Sequence, residues 1–266
     1  MQKQHRFPVL SDEQEKIQRD RFFPMKNKIE IQHEDDALIV VNKPPNFLTI
    51  PDRYAHHLPN LLDHLSKTRE KVFVVHRLDR ETSGLICFAK TEEAHRHLNQ
   101  QFQERTAEKF YHVLLEGTVH EDSGTIDKPI APSPNKKGKM IIAKKGKPSL
   151  TLFEVLERFQ HFTLVSANIK TGRTHQIRVH FDAIGYPLAV DAVYGRRSAF
   201  MLSELKHRRY RRKEETEERP LMSRSSLHAQ KLSLRHPETD VEIQFEAPLP
   251  KDFKATVQQL RKWDGL

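Results

Sequence analysis

The sequence predicts an α+β fold, in which a mixed and mostly antiparallel β-sheet is flanked by helices. Two apolar runs lie on either side of a charged segment ending in Ser83-Gly84, a pattern typical of strand, loop and strand. Leu150–Leu156 and Phe162–Ile169 predict an antiparallel pair joined by a short turn. Apolar residues at helical spacing within 91–102 and 252–263 predict helices that pack on this sheet.

Composition limits the class of protein. The 266 residues suffice for one large domain or two small ones with an ample core. There are 45 Lys and Arg against 36 Asp and Glu, and this net charge of +9 favours an anionic partner, by default nucleic acid. The single cysteine, Cys87, excludes an internal disulfide framework and any multi-cysteine zinc site. The chain has neither a signal-peptide core nor a membrane-spanning apolar run, so we expect a cytoplasmic protein without membrane contact.

The first part of the chain is predicted to enter the sheet at residue 38. Residues 1–34 are predicted as an N-terminal extension, partly helical at Ser11–Arg21, before one domain at 35–266. Leu38–Val41 is a predicted strand, which ends because the two prolines of Asn42–Asn46 prevent further pairing.

Helices are predicted on both sides of the charged segment. Pro59-Asn60 opens a helix with leucines on one side. Thr91 caps the next helix, because acids then occupy the first turn, where the helix dipole favours them. Its buried face is predicted to comprise Ala94, Leu98 and Phe102.

The second half of the chain predicts further strands and two charged segments. Lys109–Gly117 is a predicted strand, and Leu227–Leu234 with Val241–Phe245 predicts a closing hairpin. Short extended pieces near 125–143 predict a basic hairpin, either simply solvated or in contact with phosphate, and the overall charge favours phosphate. Its lysines are Lys136, Lys137, Lys139, Lys144, Lys145 and Lys147. Residues 196–224 predict a charged insertion, for which a solvated helix and an RNA-contacting arm fit equally.

The segment His76–Gly84 carries one carboxylate, Asp79, between two arginines. We expect Asp79 to be ionised at neutral pH and able to act as a nucleophile or base, because guanidinium charge favours the carboxylate form. Functional groups are often placed on loops at the edge of a rigid sheet. Taken alone, these nine residues also fit a surface loop with an Arg–Asp ion pair, which is the simpler interpretation.

A second polar motif runs from Gly172 to His180. Thr174 is predicted to cap a helix that Gly185 ends, and a helix start with unpaired amides suits an anion. His175 and His180 are five residues apart and so do not share a helix face. We therefore expect satisfied polar or phosphate-contacting roles for them rather than metal binding.

The combination of HRLDRETSG with GRTHQIRVH resembles the RluA family of pseudouridine synthases. Asn42-Lys43-Pro44-Pro45 and the Lys-x-Tyr of Lys109–Tyr111 also resemble that family, over residues 35 to about 250. The resemblance implies a pseudouridine-synthase-like fold with a central cleft, and isomerisation of uridine in RNA without a cofactor or metal. It assigns the catalytic acid to Asp79, its basic partner to Arg178, the aromatic that stacks on the base to Tyr111 and an apolar pocket residue to Leu227.

Other residues of these motifs are candidates for substrate binding. We expect the arginines to hold backbone phosphates, His76 to brace its loop, and Thr82 and Ser83 to bond the loop's own backbone. The substrate-binding candidates besides Leu227 are Arg77, Arg80, Arg173, His76, Thr82, His175 and Lys109.

Fewer than forty residues precede the first predicted strand, which is too short for the N-terminal RNA-binding domain that many members of this family carry. We therefore expect a monomer that recognises a compact stem-loop of tRNA or rRNA through its single domain. Two rival functions remain at this point: an RNA-binding module or RNA chaperone without catalysis, and a glycosylase that releases free base.

Overall fold

The computed structural model describes residues 29–53, 55, 57–206, 210 and 218–266. Its strands are β1 (Glu30–Glu34), β2 (Leu38–Lys43), β3 (Phe73–Val74), β4 (Ser83–Ala89), β5 (Glu108–Glu116), β6 (Ser123–Asp127), β7 (Ile130–Pro132), β8 (Met140–Ile142), β9 (Leu150–Arg158), β10 (Phe162–Ile169), β11 (Leu227–Arg235) and β12 (Glu242–Glu246). Its helices are α1 (Leu61–Ser66), α2 (Glu92–Glu104), α3 (Gln176–Ala183), α4 (Leu202–Lys206) and α5 (Lys251–Trp263). Within these ranges every helix is too short or too polar to cross a bilayer. The predicted helix at Ser11–Arg21 lies outside the described residues.

Ten strands form one mixed sheet in the order β1-β2-β4-β11-β5-β10-β9-β6, with β3 added to β4 and β12 to β11. Strands β4 and β11 are parallel, and the other pairs of the sheet are antiparallel. Strand β4 is buried throughout, as expected for an apolar strand with packing on both faces. The predicted α+β fold, with a mixed and mostly antiparallel sheet, is confirmed.

The sheet begins one strand earlier than the sequence predicted. Strand β1 pairs with β2 inside the segment 1–34 that was predicted as an extension. Its sequence, Glu-Ile-Gln-His-Glu, is polar and half-exposed at the sheet edge. An edge strand needs few apolar residues, so its composition does not distinguish it from a solvated extension.

The predicted helix cap is confirmed at α2 and is wrong at α3. Thr91 Oγ1 accepts a hydrogen bond from the Ala94 amide at 3.1 Å and so caps α2. Helix α3 begins after His175, whose φ of 55° is left-handed, rather than with Thr174 as its cap. Gln176 closes this turn instead, because its Oε1 accepts from the Arg173 amide at 3.1 Å.

Both ends of the segment 196–224, which was predicted as a charged insertion, pack in the core. Phe200 and Met222 are buried and joined by a hydrogen bond from the Phe200 amide to the Met222 carbonyl at 2.7 Å. Leu205 of α4 packs in the same cluster as Phe253 of α5. The two alternatives for the charged run concern residues 207–217, which lie outside the described residues except for Tyr210.

Strands β7 and β8 form a separate two-stranded sheet, which confirms the predicted hairpin. The hairpin is joined to the rest of the fold by the Met140 amide, which donates to the hydroxyl of Tyr194 at 2.7 Å. Helix α3, which carries Arg178, also packs against β8 of this hairpin.

Candidate active site

A cleft of about 1040 Å³ lies across the sheet, between the loop before β4 and the start of α3. The two long motifs, which are almost one hundred residues apart in sequence, meet at this cleft. The predicted site residues that line it are Asp79, Tyr111, Arg178, Leu227, His76, Arg77, Thr82, Lys109, Arg173 and His175. Arg80 is exposed and does not line the cleft, so the structure separates it from this set. The predicted central cleft is confirmed.

Asp79 lies in this cleft with about 31% of its side chain exposed. Arg178 approaches it most closely, with Nη1 3.5 Å from Oδ2, and His175 Nε2 lies 3.9 Å from the same oxygen. The backbone amide of Thr82 donates to the Asp79 carbonyl at 3.1 Å and closes the loop. The carboxylate is therefore reachable from the cleft and held beside a permanent cation.

Lys43, whose side chain is fully buried, anchors the loop that carries Asp79. Its Nζ donates to the carbonyls of Pro44 at 3.0 Å, Phe47 at 2.8 Å and Arg80 at 3.0 Å. Thr49 Oγ1 accepts from the Leu78 amide at 3.3 Å. Lys43 Nζ thus joins the segment after β2 to the loop that carries Asp79, and this gives a structural role to the Asn-Lys-Pro-Pro motif.

A second anchor ties the same loop to β11. Ser83 Oγ pairs with His228 Nδ1 at 3.0 Å, and His228 Nε2 lies 3.2 Å from the Ala247 carbonyl. The prediction that Ser83 bonds the loop's own backbone is therefore wrong, because parallel pairing with β11 brings a buried imidazole within reach. Glu81 Oε2 accepts from the amide and hydroxyl of Ser225 at 2.9 and 2.6 Å.

Arg178 is positioned by Asp191, which the sequence analysis did not single out. The guanidinium Nε and Nη2 donate to the two oxygens of Asp191 at 2.6 and 2.8 Å, and both side chains are buried. Burial alone would raise the pKa of Asp191, but hydrogen bonds from Arg178 and from the amides of Val193 and Tyr194 bring the pKa below its ordinary value. Arg178 therefore contacts two acids: Asp191 fixes its orientation, and its Nη1 remains directed at Asp79.

Tyr194 is the second residue that sequence reasoning missed. Its hydroxyl lies 2.9 Å from His175 Nδ1, and its ring lies 5.0 Å from the guanidinium carbon of Arg178. Burial lowers the pKa of His175, so the neutral imidazole is favoured beside Asp79. The available sequence signal was an acid and a tyrosine in an otherwise apolar segment, Ala189–Tyr194, which alone is also typical of a buried loop.

Tyr111 and Leu227 supply the apolar part of the cleft. They lie on adjacent strands, β5 and β11, and both are more than nine-tenths buried. Burial and the negative charge of Asp79 raise the pKa of Tyr111, so its phenol is neutral. A flat aromatic ring and an aliphatic side chain beside a carboxylate form a pocket suited to a planar ligand.

The histidines of the motifs have separate roles. His76 Nε2 accepts from the Cys87 amide at 3.1 Å, and its ring stacks on Phe102 at 4.6 Å, so it braces its loop as expected. His180 is fully buried and bonded to Thr151 and to the Lys128 carbonyl, both at 2.9 Å. Among the described residues, no group of His, Cys, Asp or Glu is arranged as a metal site.

The fold and this cleft can now be compared with known proteins. The sequence profile of the family described as RNA pseudouridylate synthase matches residues 37–183. The chain belongs to this family, whose members are isomerases that act on RNA.

The chain is also similar to individual members of this family. The chain is 36% identical over 242 residues to the uncharacterized RNA pseudouridine synthase YlyB of Bacillus subtilis, covering 88% of this chain and 73% of that protein. It is 37% identical to ribosomal large subunit pseudouridine synthase D of Nitrosomonas europaea, over 88% of this chain but only 65% of that protein. The solved structure of human RNA pseudouridylate synthase domain containing 1 is 27% identical, with a TM-score of 0.63 over 90% of this chain and 97% of that one. The predicted resemblance to the RluA family is confirmed.

Proposed function

We propose that this protein converts a specific uridine in structured RNA to pseudouridine, with Asp79 as the catalytic carboxylate. The observation that supports this proposal most is the cleft geometry: Asp79 Oδ2 lies 3.5 Å from Arg178 in a cleft that Tyr111 and Leu227 also line. A carboxylate, a permanent cation and an aromatic wall are the groups that chemistry on a flipped nucleotide requires.

The reaction must break the bond between the ribose C1′ and uracil N1, rotate the uracil, and form a new bond from C1′ to C5. A base inside a duplex cannot rotate, so the nucleotide is flipped into the cleft. Stacking of the base on Tyr111 contributes about 1–3 kcal/mol. Asp79 then either attacks C1′ and is displaced by C5, or removes the neighbouring ribose proton, which is later returned. After the new bond forms, C5 loses its proton and N1 gains one.

Arg178 holds Asp79 in position during either route, since its Nη1 lies 3.5 Å from Asp79 Oδ2. His175, as a neutral imidazole, adds a polar group 3.9 Å from the same carboxylate oxygen. Arg77 and Arg173 lie at the same cleft and are proposed to hold backbone phosphates around the flipped nucleotide. The exposed Arg80 is proposed to contact phosphates outside the cleft.

For the substrate we propose a stem-loop of large-subunit ribosomal RNA. The relatives named as ribosomal large subunit pseudouridine synthases support this choice over transfer RNA. The net charge of +9 and the lysine-bearing hairpin beside α3 fit a polyanionic partner. The cytoplasmic location and the monomeric state remain predictions of the sequence.

The test compares wild type with Asp79→Asn and, as a matched control, Asp52→Asn. Asp52 lines the same cleft, and an asparagine there can still accept from the Ala55 amide. Release of tritium from RNA labelled at uridine C5 should fall more than about 1000-fold in Asp79→Asn and less than about tenfold in Asp52→Asn. Equal activity of Asp79→Asn and wild type would refute the assignment.

Sequencing of pseudouridines in RNA from cells with and without the gene identifies the target. A missing site in transfer RNA would replace the ribosomal proposal without affecting the chemistry. Free uracil in the assay would instead indicate a glycosylase, and RNA binding without tritium release would indicate a binding module.

A further inference from the structure

Lys109 is a buried cation of the cleft that has no ionic partner among the residues that the structure describes. Only 8% of the residue is exposed, and its side chain lines the cleft. Its Nζ lies 4.9 Å from the centre of the Phe102 ring. Within the described part of the chain, this ammonium group has neither a hydrogen bond nor an ion pair.

The groups around Lys109 supply no negative charge. Burial lowers the pKa of His76 to about 3 and raises the pKa of Cys87 to about 12, so both are neutral at physiological pH. The nearby Lys170 is itself positive and is paired with Glu108 at 2.9 Å. Burial lowers the pKa of Lys109 to about 8, which still leaves it mostly protonated at neutral pH. A desolvated charge without a partner lowers the stability of the fold. The presence of Lys109 at this position therefore needs an explanation other than stability.

The position of Lys109 on β5 relates it to the substrate. Lys109 and Tyr111 are two residues apart on one strand, so their side chains lie on the same face and about 7 Å apart. A ligand that stacks on Tyr111 and continues along β5 towards α2 therefore passes over the Lys109 ammonium. In an RNA strand, the group that carries negative charge is the phosphodiester.

We propose that Lys109 binds a phosphate of the substrate strand next to the flipped uridine and so positions the nucleotide over Asp79. This inference deepens the proposed function and rests on it for the identity of the ligand. Lys109 is a positioning residue, since it meets the backbone of the substrate and not the reacting atoms. The RNA phosphate supplies the counter-charge that the described residues do not provide at this point.

The test uses Lys109→Met, which removes the ammonium group and leaves an unbranched apolar side chain that can still pack beside Phe102. The matched control is Lys231→Met, because Lys231 Nζ lies 5.1 Å from the centre of the Phe110 ring, on the opposite face of β5. Binding to an unmodified transcript of large-subunit ribosomal RNA is measured between about 50 and 200 mM salt. Thermal unfolding of each variant is measured without RNA.

Lys109→Met should bind about tenfold more weakly at the lowest salt concentration. The slope of log affinity against log salt should become less steep by about 0.7–0.9, as for the loss of one phosphate contact. Its thermal stability should equal or exceed that of wild type, since an unpaired charge has been removed. Lys231→Met should keep the wild-type slope and affinity.

An unchanged salt slope in Lys109→Met would overturn the inference, and so would a loss of affinity that merely follows a lower unfolding temperature. Tritium release by wild type is measured on the same transcript. If wild type released none from this transcript while Lys109→Met still altered the slope, the proposed activity on large-subunit ribosomal RNA would fail and the phosphate contact would stand.

Discussion

Replacing Asp191 by Asn tests how the protein holds Arg178 in place. The exchange keeps the size of the side chain and the acceptor for the amides of Val193 and Tyr194, which now bond to Oδ1 at 2.8 and 3.0 Å. It removes the negative charge that faces the guanidinium. Arg178 then remains buried with half of its bidentate partner lost, and its ion pair with Asp79 at 3.5 Å is retained.

The size of the expected effects follows from the burial of Asp191 and Arg178. The Asp191 side chain is 0% exposed and that of Arg178 is 7% exposed, so water does not replace the lost partner. Breaking a buried ion pair from one side costs about 3–5 kcal/mol, and we expect the free energy of unfolding to fall by that amount. A misplacement of about 1 Å in a catalytic group costs about 100-fold in rate, and we expect a loss of that order in kcat.

The dependence of the unfolding free energy on pH gives a second test, for which the direction of the change is predicted. The pKa of Asp191 lies below its ordinary value in the folded protein, so the carboxylate stabilises the fold at pH values above the unfolded pKa of about 3.9. This stabilisation is lost as the pH falls through the folded pKa. The difference in unfolding free energy between wild type and Asp191→Asn should therefore be constant above about pH 5 and shrink in acid.

Urea denaturation and single-turnover tritium release measure the two effects. Glu157→Gln is the matched control, because Glu157 also accepts a bidentate pair from an arginine, Arg261, at 2.7 and 2.9 Å. The Arg261 side chain is 57% exposed, so this variant should lose at most about 1 kcal/mol and keep its activity. If Asp191→Asn had the same unfolding free energy and the same rate of tritium release as Glu157→Gln, the positioning of Arg178 by Asp191 would be refuted.

Three further predictions concern the scaffold of the site. Lys43→Met should lower the unfolding free energy by about 3 kcal/mol or more in urea denaturation, because three carbonyls lose their shared donor. Burial lowers the pKa of His228 to about 4, so the stabilisation from its neutral form is present above the unfolded pKa of about 6.5 and is lost as pH falls towards 4. Between pH 7 and pH 4.5, the unfolding free energy should fall less in His228→Gln than in wild type. An equal fall in both proteins would contradict this reasoning. Thr91→Ala should cost about 1 kcal/mol by removal of the α2 cap, and an unchanged denaturation midpoint would count against it.

The sequence predicted those elements well whose patterns lie within a few neighbouring residues. The strand pair β9 and β10 shows apolar runs separated by a short turn, and α2 shows a capping threonine before a helical apolar pattern. Such features depend on residues a few positions apart and need no knowledge of the rest of the fold. The predictions failed where a local pattern had competing outcomes. Strand β1 is polar because it lies at an edge, and the turn before α3 is closed by Gln176 rather than by Thr174.

By itself, the sequence determined the class of fold and the set of chemical groups, because motif spacing and periodicity are properties of neighbouring residues. Asp79, Tyr111 and Arg178 could be named in this way, although their roles remain proposals. Only the tertiary structure decided that Asp191 orients Arg178 and that Tyr194 contacts His175. These contacts depend on how separate elements pack around the cleft. Burial removes the competing water there, so partners brought together by the fold decide which side chains are held in place and which charges are left unpaired.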